Sequence, residues 1–128
     1  KTLSIFYEII SELNENFLEK NKLDCATAYI TQHIDDSFID LTVLAQCCGV
    51  SKDYFRHLFK QIYGVSPTQY IANQKIIRIK EKLLTSNKSI REISFLCGFY
   101  DENYFSRFFK KHTGLTPNEF RKKYMTMY

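Results

Sequence analysis

The chain has 128 residues, of which 45% are hydrophobic and 25% charged, a composition typical of an ordinary globular domain. It contains no apolar run long enough to cross a membrane and no signal-peptide pattern, so no membrane partner is expected. The formal charge of +4 is unevenly divided: residues 1–40 hold three lysines and eight acids, a net −5, whereas residues 41–128 hold fifteen lysines and arginines and six acids, a net +9. The basic part of the chain therefore indicates a nucleic-acid partner.

Residues 1–22 are predicted to form an N-terminal amphipathic helix. Their apolar residues recur at steps of three and four positions, which makes a seam along one side: Leu3, Phe6, Ile10, Leu13 and Phe17. A break is predicted at Lys20-Asn21-Lys22. Two roles stay open for the seam, namely a linker or dimerisation helix that would make a homodimer, and packing against the domain itself. The chain begins with Lys1 and not with methionine, which is compatible with a fragment of a longer protein.

Residues 23–66 are predicted to form a first helix-turn-helix subdomain. After a helix at residues 25–34, Asp40 can cap a short helix that Gly49 ends, because a helix often finishes on a left-handed residue. Ser51 can cap the next helix, which Gly64 stops. Two short helices joined by a glycine-containing turn are the pattern of a helix-turn-helix.

Residues 67–86 are predicted to form one long connecting helix, and residues 87–128 a second helix-turn-helix subdomain. Pro67 suits a first helical position, and Ser89 with Glu92 makes a capping box. Gly98 and Asp101 then occupy the positions that Gly49 and Ser51 have in the first subdomain, namely the end of the first helix and the cap of the second. The predicted fold is therefore all-α, with two tandem helix-turn-helix subdomains joined by one long helix and preceded by the N-terminal amphipathic helix. A continuous connecting helix is expected to fix the spacing of the two units.

The two subdomains are internal repeats. Residues 54–70 recur as residues 104–120 at an offset of 50, with identical residues at six positions, whereas upstream the offset is 49, as in Cys48-Gly49 and Cys97-Gly98. One extra residue therefore lies between the first glycine and the aromatic pair, in a turn, where insertions are tolerated.

Particular strings carry a family resemblance. In the second unit they are Ile93-Ser94, Gly98-Phe99, residues 104–111, residues 114–117 and Phe120-Arg121; in the first they are Leu44-Ala45, residues 49–51 and Phe59-Lys60. Over roughly residues 25–124 the sequence resembles the DNA-binding domain of the AraC/XylS family of bacterial transcription regulators. The resemblance implies sequence-specific binding of double-stranded DNA by two recognition helices in successive major grooves. It also implies RNA polymerase as a partner, a role as an activator, and a cytoplasmic location.

The second helix of each unit carries the candidate DNA-binding residues. The apolar stripes around Phe55 and Phe105 face the core, which turns the polar positions outward. Arg56 and Arg107 suit guanine and Asn103 suits adenine, while Lys60 is expected to meet phosphate. The full set of outward positions is Lys52, Asp53, Arg56, His57, Lys60, Glu102, Asn103, Ser106, Arg107 and Lys110. Tyr54 and Tyr104 could also contact DNA, but the core is favoured for them, because aromatic residues at helical spacing are mostly buried.

Other functions fit the sequence less well. Cys25, Cys47, Cys48 and Cys97 lack zinc-site spacing, and the chain has no nucleophile elbow or phosphate loop, so no metal, cofactor or enzymatic activity is expected. Four free thiols would fit a reducing cytoplasm. The alternative to DNA binding is a helical protein-interaction module, in which the repeats are only a packing scaffold.

Overall fold

The computed structural model describes residues 2–125, with the side chains of residues 4–10 and 21–125. Across this range the regular secondary structure is helical throughout. The helices are α1 (Thr2–Gln32), α2 (Leu41–Cys47), α3 (Lys52–Tyr63), α4 (Pro67–Thr85), α5 (Ile90–Leu96), α6 (Glu102–Thr113) and α7 (Pro117–Met125). Helices α2 and α3 form the first helix-turn-helix, and α5 and α6 form the second. The predicted all-α fold with two tandem helix-turn-helix units is confirmed.

Local capping signals account for six of the helix boundaries. Asp40, Ser51, Ser89 and Asp101 occupy the N-cap positions of α2, α3, α5 and α6, and each accepts a backbone N–H hydrogen bond through its side chain. Gly64 and Gly114 end α3 and α6 in the left-handed conformation, with φ of 78° and 84°. These contacts span only a few residues, which is why the sequence predicts them.

Helix α1 corrects the predicted break. It continues without interruption through Lys20-Asn21-Lys22 and ends at Gln32, so residues 25–32 are its C-terminal part and not a separate helix. The physical reason is that these three residues include neither glycine nor proline, and lysine is a good helix former. Leu3, Leu13 and Phe17 of the predicted seam lie outside the described side chains.

The chain divides into two compact units, of which the first comprises residues 1–31 and 40–70. Its buried residues come from α1, α2 and α3 and include Leu23, Ala26, Ile30, Leu44, Phe55, Leu58 and Phe59. Three aromatic rings pack together where α3 meets the start of α4. The ring of Phe59 on α3 lies 4.6 Å from that of Tyr63 on α3 and 5.2 Å from that of Tyr70 on α4, centroid to centroid.

A disulfide between Cys25 and Cys47 links α1 to α2, with their Cα atoms 6.0 Å apart. The prediction of four free thiols is therefore wrong for these two cysteines, because the fold brings together residues that are 22 positions apart in the chain. Cys48 and Cys97 are free and buried. Burial raises the pKa of the Cys97 thiol to about 11, so this thiol is protonated at neutral pH.

The second unit comprises residues 32–39 and 71–128. Its core draws on α4 to α7 and on the turn before α6: Ile76, Ile79, Leu83, Ile93, Cys97, Phe99, Phe105, Phe109 and Phe120. Arg121 extends from α7 to the end of α4, where its guanidinium donates to the carbonyls of Leu83 at 3.1 Å and Ser86 at 3.2 Å. Arg121 thereby satisfies carbonyl groups that the end of a helix leaves without partners.

Residues 32–39, which connect α1 to α2, pack within the second unit. Lys75 Nζ donates to the carbonyl oxygens of Ile34 at 2.7 Å and Asp36 at 2.8 Å. Arg78 contacts the Asp35 carboxylate through Nη2 at 3.3 Å. Burial lowers the pKa of the Lys75 ammonium, which also lies 5.6 Å from the centroid of the Phe99 ring. These contacts hold the connecting segment against α4.

Candidate nucleic-acid interface

Helix α3 separates a buried apolar face from an exposed polar face. Phe55, Leu58 and Phe59 are at most 2% exposed. All five candidates on this helix, Lys52, Asp53, Arg56, His57 and Lys60, are exposed. The side chain of Ser51 fixes the start of the helix by accepting from the Tyr54 N–H at 3.2 Å. The outward face of the first helix-turn-helix is thus a row of charged and hydrogen-bonding side chains.

Arg56 makes a weak contact on this face. Its Nη1 lies 3.7 Å from Asp53 Oδ1, and the two side chains are 50% and 97% exposed. An exposed pair three residues apart on a helix contributes only about 0.2–0.5 kcal/mol. Arg56 can therefore leave Asp53 for a stronger acceptor at little cost, and Asp53 stays accessible as an acceptor for a base amino group.

Helix α6 repeats the arrangement with different side chains. Phe105 and Phe109 are fully buried, while Glu102, Asn103, Arg107 and Lys110 are exposed. Ser106 is half-buried, so its short side chain lies lower on this face than the others. Asp101 Oδ1 accepts from the N–H groups of Asn103 at 2.9 Å and Tyr104 at 3.4 Å.

The two exposed faces are not copies of each other. At the offset of 50, Lys52 is matched by Glu102, Asp53 by Asn103, Arg56 by Ser106 and His57 by Arg107, and only Lys60 recurs as Lys110. The donors and acceptors that the two helices present therefore differ at four of the five positions. Two helix-turn-helix units of similar structure but with different exposed side chains suit a binding site whose two halves differ.

Tyr54 and Tyr104 correct the expectation that they belong to the core. They are 45% and 53% exposed. Each immediately precedes a fully buried phenylalanine, so it lies about 100° around the helix from that residue, at the edge of the apolar stripe. The Tyr104 ring lies 5.9 Å from that of Phe99, centroid to centroid, so it contacts the core while about half of the residue stays exposed. Both side chains are therefore accessible for the DNA contact that the sequence left open as the less favoured alternative.

The described side chains contain no group of three or more His, Cys, Asp and Glu residues placed to hold a metal ion. Within the same part of the chain, none of the helices has the length and apolar character needed to cross a bilayer.

The geometry defines a class of protein before any comparison: a double helix-turn-helix whose second helices expose polar and basic faces, as DNA-recognition helices do. Residues 44–123 match the family model described as a helix-turn-helix domain. The chain is 39% identical over 101 residues to the arabinose operon regulatory protein of Escherichia coli K12, covering 79% of this chain and 35% of that protein. It thus spans about a third of the length of this curated relative.

Solved structures show the same architecture. The C-terminal domain of AraT, a response regulator from Geobacillus stearothermophilus, has a TM-score of 0.76 at 31% identity, covering 81% of this chain and 86% of that one. An AraC-type regulator from Chromobacterium violaceum has a TM-score of 0.73 at 30% identity, covering 81% and 92%. The DNA-binding domain of AdpA, solved with a target DNA, has a TM-score of 0.72 at 25% identity, covering 80% and 91%.

The chain belongs to the AraC/XylS family of helix-turn-helix transcription regulators and constitutes a DNA-binding domain of that family. It is a DNA-binding module of a transcription regulator.

Proposed function

We propose that the chain binds a specific double-stranded DNA sequence by placing α3 and α6 in successive major grooves. The observation that carries this proposal is the pair of exposed polar faces on two helices that each follow a tight turn. A helix is about 10–12 Å across with its side chains, and the major groove is about 12 Å wide, so the dimensions match. The net charge of +9 over residues 41–128 favours approach to the phosphate backbone.

The side chains divide into base-reading and phosphate-contacting groups. Arg56 and Arg107 present planar guanidinium groups that can pair with O6 and N7 of guanine, and Asn103 can pair with adenine. Lys60 and Lys110 lie farther along their helices and meet phosphate. Lys52, His57 and Ser106 supply further hydrogen bonds, and the carboxylates of Asp53 and Glu102 accept from cytosine. The exposed Tyr54 and Tyr104 add contacts at the edges of the two faces.

The regulator that contains this module acts in the cytoplasm, where its DNA lies, and works as an activator together with RNA polymerase. Support for activation comes from the names of relatives: the HTH-type transcriptional activator RhaR of Cronobacter sakazakii is 33% identical over 106 residues, covering 83% of this chain and 37% of that protein. DNA and RNA polymerase are the two partners that this regulatory role requires.

The DNA-reading roles predict distinct effects for arginine and lysine variants. Arg56→Ala and Arg107→Ala should each weaken binding to the preferred duplex by about 1–3 kcal/mol and relax the preference at one base position. Lys60→Ala should weaken binding to all duplexes alike and lower the salt slope by about one. The measurement is fluorescence-anisotropy titration at several salt concentrations, with duplexes selected by the chain from a random pool and with a scrambled control.

The comparison between the two kinds of variant is the control. If the arginine variants lose the same factor on selected and scrambled duplexes, Arg56 and Arg107 contact phosphate and the assignment of base reading is wrong. If the chain selects no duplex from the pool, sequence-specific binding itself is contradicted.

The amino-terminal part of α1 is the proposed dimerisation surface. Ile5, Phe6, Tyr7, Ile9 and Ile10 are between 36% and 67% exposed, which is a large apolar area for one short segment. Apolar surface of this kind marks an interaction site, and a second copy of the same helix presents a complementary apolar face.

The dimer proposal predicts a change in mass. Replacing both Phe6 and Ile10 with Glu should convert a dimer to a monomer, because the two residues share one side of α1 and cannot be buried when charged. The control is Ile77→Glu, an equally drastic change at a residue that is 59% exposed on α4, and it should leave the mass unchanged. Sedimentation equilibrium gives the masses. A monomeric unmodified chain would show that the segment does not pair with itself.

A further inference from the structure

The turns that precede the two recognition helices differ by one residue. In the first unit Gly49 and Val50 lead directly to Ser51, the N-cap of α3. In the second unit Gly98 and Phe99 lead to Tyr100 and only then to Asp101, the N-cap of α6. Tyr100 is therefore the residue that changes the repeat offset from 49 to 50, and it has no counterpart in the first unit.

Tyr100 contributes little to the packed core. Its neighbour Phe99 takes the core position, being 8% exposed with its ring 5.2 Å from both Phe105 and Phe108. Tyr100 itself is 81% exposed, the largest fraction among the large hydrophobic side chains that the structure describes. The insertion thus keeps the buried residue and the cap in place and adds one aromatic side chain to the outside of the turn.

The position of this turn determines what the added side chain can meet. In a bound helix-turn-helix the first helix crosses the DNA backbone and the second enters the major groove, so the turn between them lies beside the phosphates. Tyrosine is one of the side chains that donate hydrogen bonds to phosphate oxygens. We therefore expect a phenol directly ahead of α6 to lie near that backbone.

The charges around the two turns differ in a way that favours a neutral donor in the second unit. In the first unit the neutral cap Ser51 is followed by Lys52, a cation that attracts phosphate. In the second unit the cap Asp101 is followed by Glu102, and both are exposed acids that repel phosphate. A neutral hydrogen-bond donor at the same end of α6 can attract phosphate in place of a cation such as Lys52. Because it is neutral, it does not form an ion pair with the carboxylates of Asp101 and Glu102.

We propose that Tyr100 is a positioning residue of the second unit, whose phenol O–H donates a hydrogen bond to a DNA phosphate beside the start of α6. This inference rests on the proposed DNA binding. The hydrogen bond holds α6 in register in its groove, and because it is made to the backbone it acts on every sequence.

The test compares Tyr100→Phe, which removes only the hydroxyl, with Tyr100→Ala. Both should bind the selected duplex and a scrambled duplex about tenfold more weakly than the unmodified chain, the size expected for one hydrogen bond to a charged group. Duplexes that carry a single methylphosphonate then locate the contact. Neutralising one phosphate should weaken the unmodified chain but not Tyr100→Phe. The control Phe38→Ala, at an aromatic residue that is 76% exposed in the segment of residues 32–39, should bind normally.

Three results would overturn the inference. One is that Tyr100→Phe binds as tightly as the unmodified chain while Tyr100→Ala does not, which would assign an apolar contact in place of the hydrogen bond. Another is a loss confined to the selected duplex, which would assign a base contact. The third is unchanged binding by both variants. Titrating Arg107→Ala in parallel distinguishes failure of the Tyr100 proposal from failure of the proposed function. If only Arg107→Ala loses affinity, the proposed DNA binding stands and the role of Tyr100 does not.

Discussion

Replacing Gly98 with alanine is expected to lower the free energy of unfolding by about 2–5 kcal/mol. Gly98 has a φ of +86°, and the left-handed conformation costs an L-residue roughly 1–2 kcal/mol. A Cβ atom at this position would also lie 2.7 Å from the carbonyl carbon of Asp36 and collide with the carbonyl oxygen of Asp35. Overpacking of this kind costs typically 1–3 kcal/mol, so the two effects add.

The neighbouring backbone has little freedom to move away. Asp35 and Asp36 lie in the segment of residues 32–39, and Lys75 holds that segment through carbonyl hydrogen bonds of 2.7 and 2.8 Å. The collision is with main-chain atoms and not with the end of a flexible side chain, so relief requires a shift of the whole segment.

Gly49 provides the matched control for this prediction. It occupies the same position in the first helix-turn-helix and has a φ of +70°, but a Cβ atom there would meet nothing within 4 Å. Gly49→Ala should therefore cost only the conformational part, about 1–2 kcal/mol. Urea unfolding of the two variants measures the difference. Equal losses would show that residues 32–39 do not pack against Gly98 in solution.

The two glycines also show the limit of what the sequence predicts. Cys48-Gly49 and Cys97-Gly98 are identical dipeptides that end equivalent helices, and the sequence correctly predicts a turn at both. It gives no sign that residues 35 and 36 cover the second glycine and leave the first one open. The capping and turn conformations depend on a few adjacent residues, whereas this contact joins positions more than sixty residues apart.

The same distinction applies to the candidate interface. The exposed faces of α3 and α6 are predictable, because 3.6-residue periodicity sets which side chains oppose the buried phenylalanines. Tyr54 and Tyr104 lie at the edge of the stripe, where periodicity does not separate a core residue from an exposed one. The Cys25–Cys47 disulfide depends on the packing of α1 against α2, which no spacing in the sequence specifies.

Inserting 5 bp between the two halves of the preferred duplex is expected to reduce its affinity by roughly 10²–10⁴-fold. Successive major grooves on one face of the duplex are about 10–10.5 bp apart, and half a turn moves the second half-site to the opposite face. The second unit then loses its specific contacts. Two base contacts, those of Asn103 and Arg107, at about 1–3 kcal/mol each account for a loss of this size.

A matched pair of duplexes makes this prediction specific. One carries the 5 bp insertion, and the other has normal spacing with the base pairs of the second half-site scrambled. Both should bind with similar residual affinity, because in each only α3 reaches its preferred bases. A variant with Arg107→Ala should be less sensitive to either change than the unmodified chain, because one of the two base contacts is already lost.

Titration of this spacing series with the unmodified chain is the measurement that tests two-groove recognition most directly. Duplexes with 0, 5 and 10 bp inserted between the half-sites, at one salt concentration, give three affinities. The sequence predicts that one connecting helix fixes the spacing of the two units, so the uninterrupted site should bind most tightly and both insertions should bind weakly. Equal affinity for all three duplexes would contradict simultaneous reading by α3 and α6, and recovery at 10 bp would contradict a fixed spacing between them.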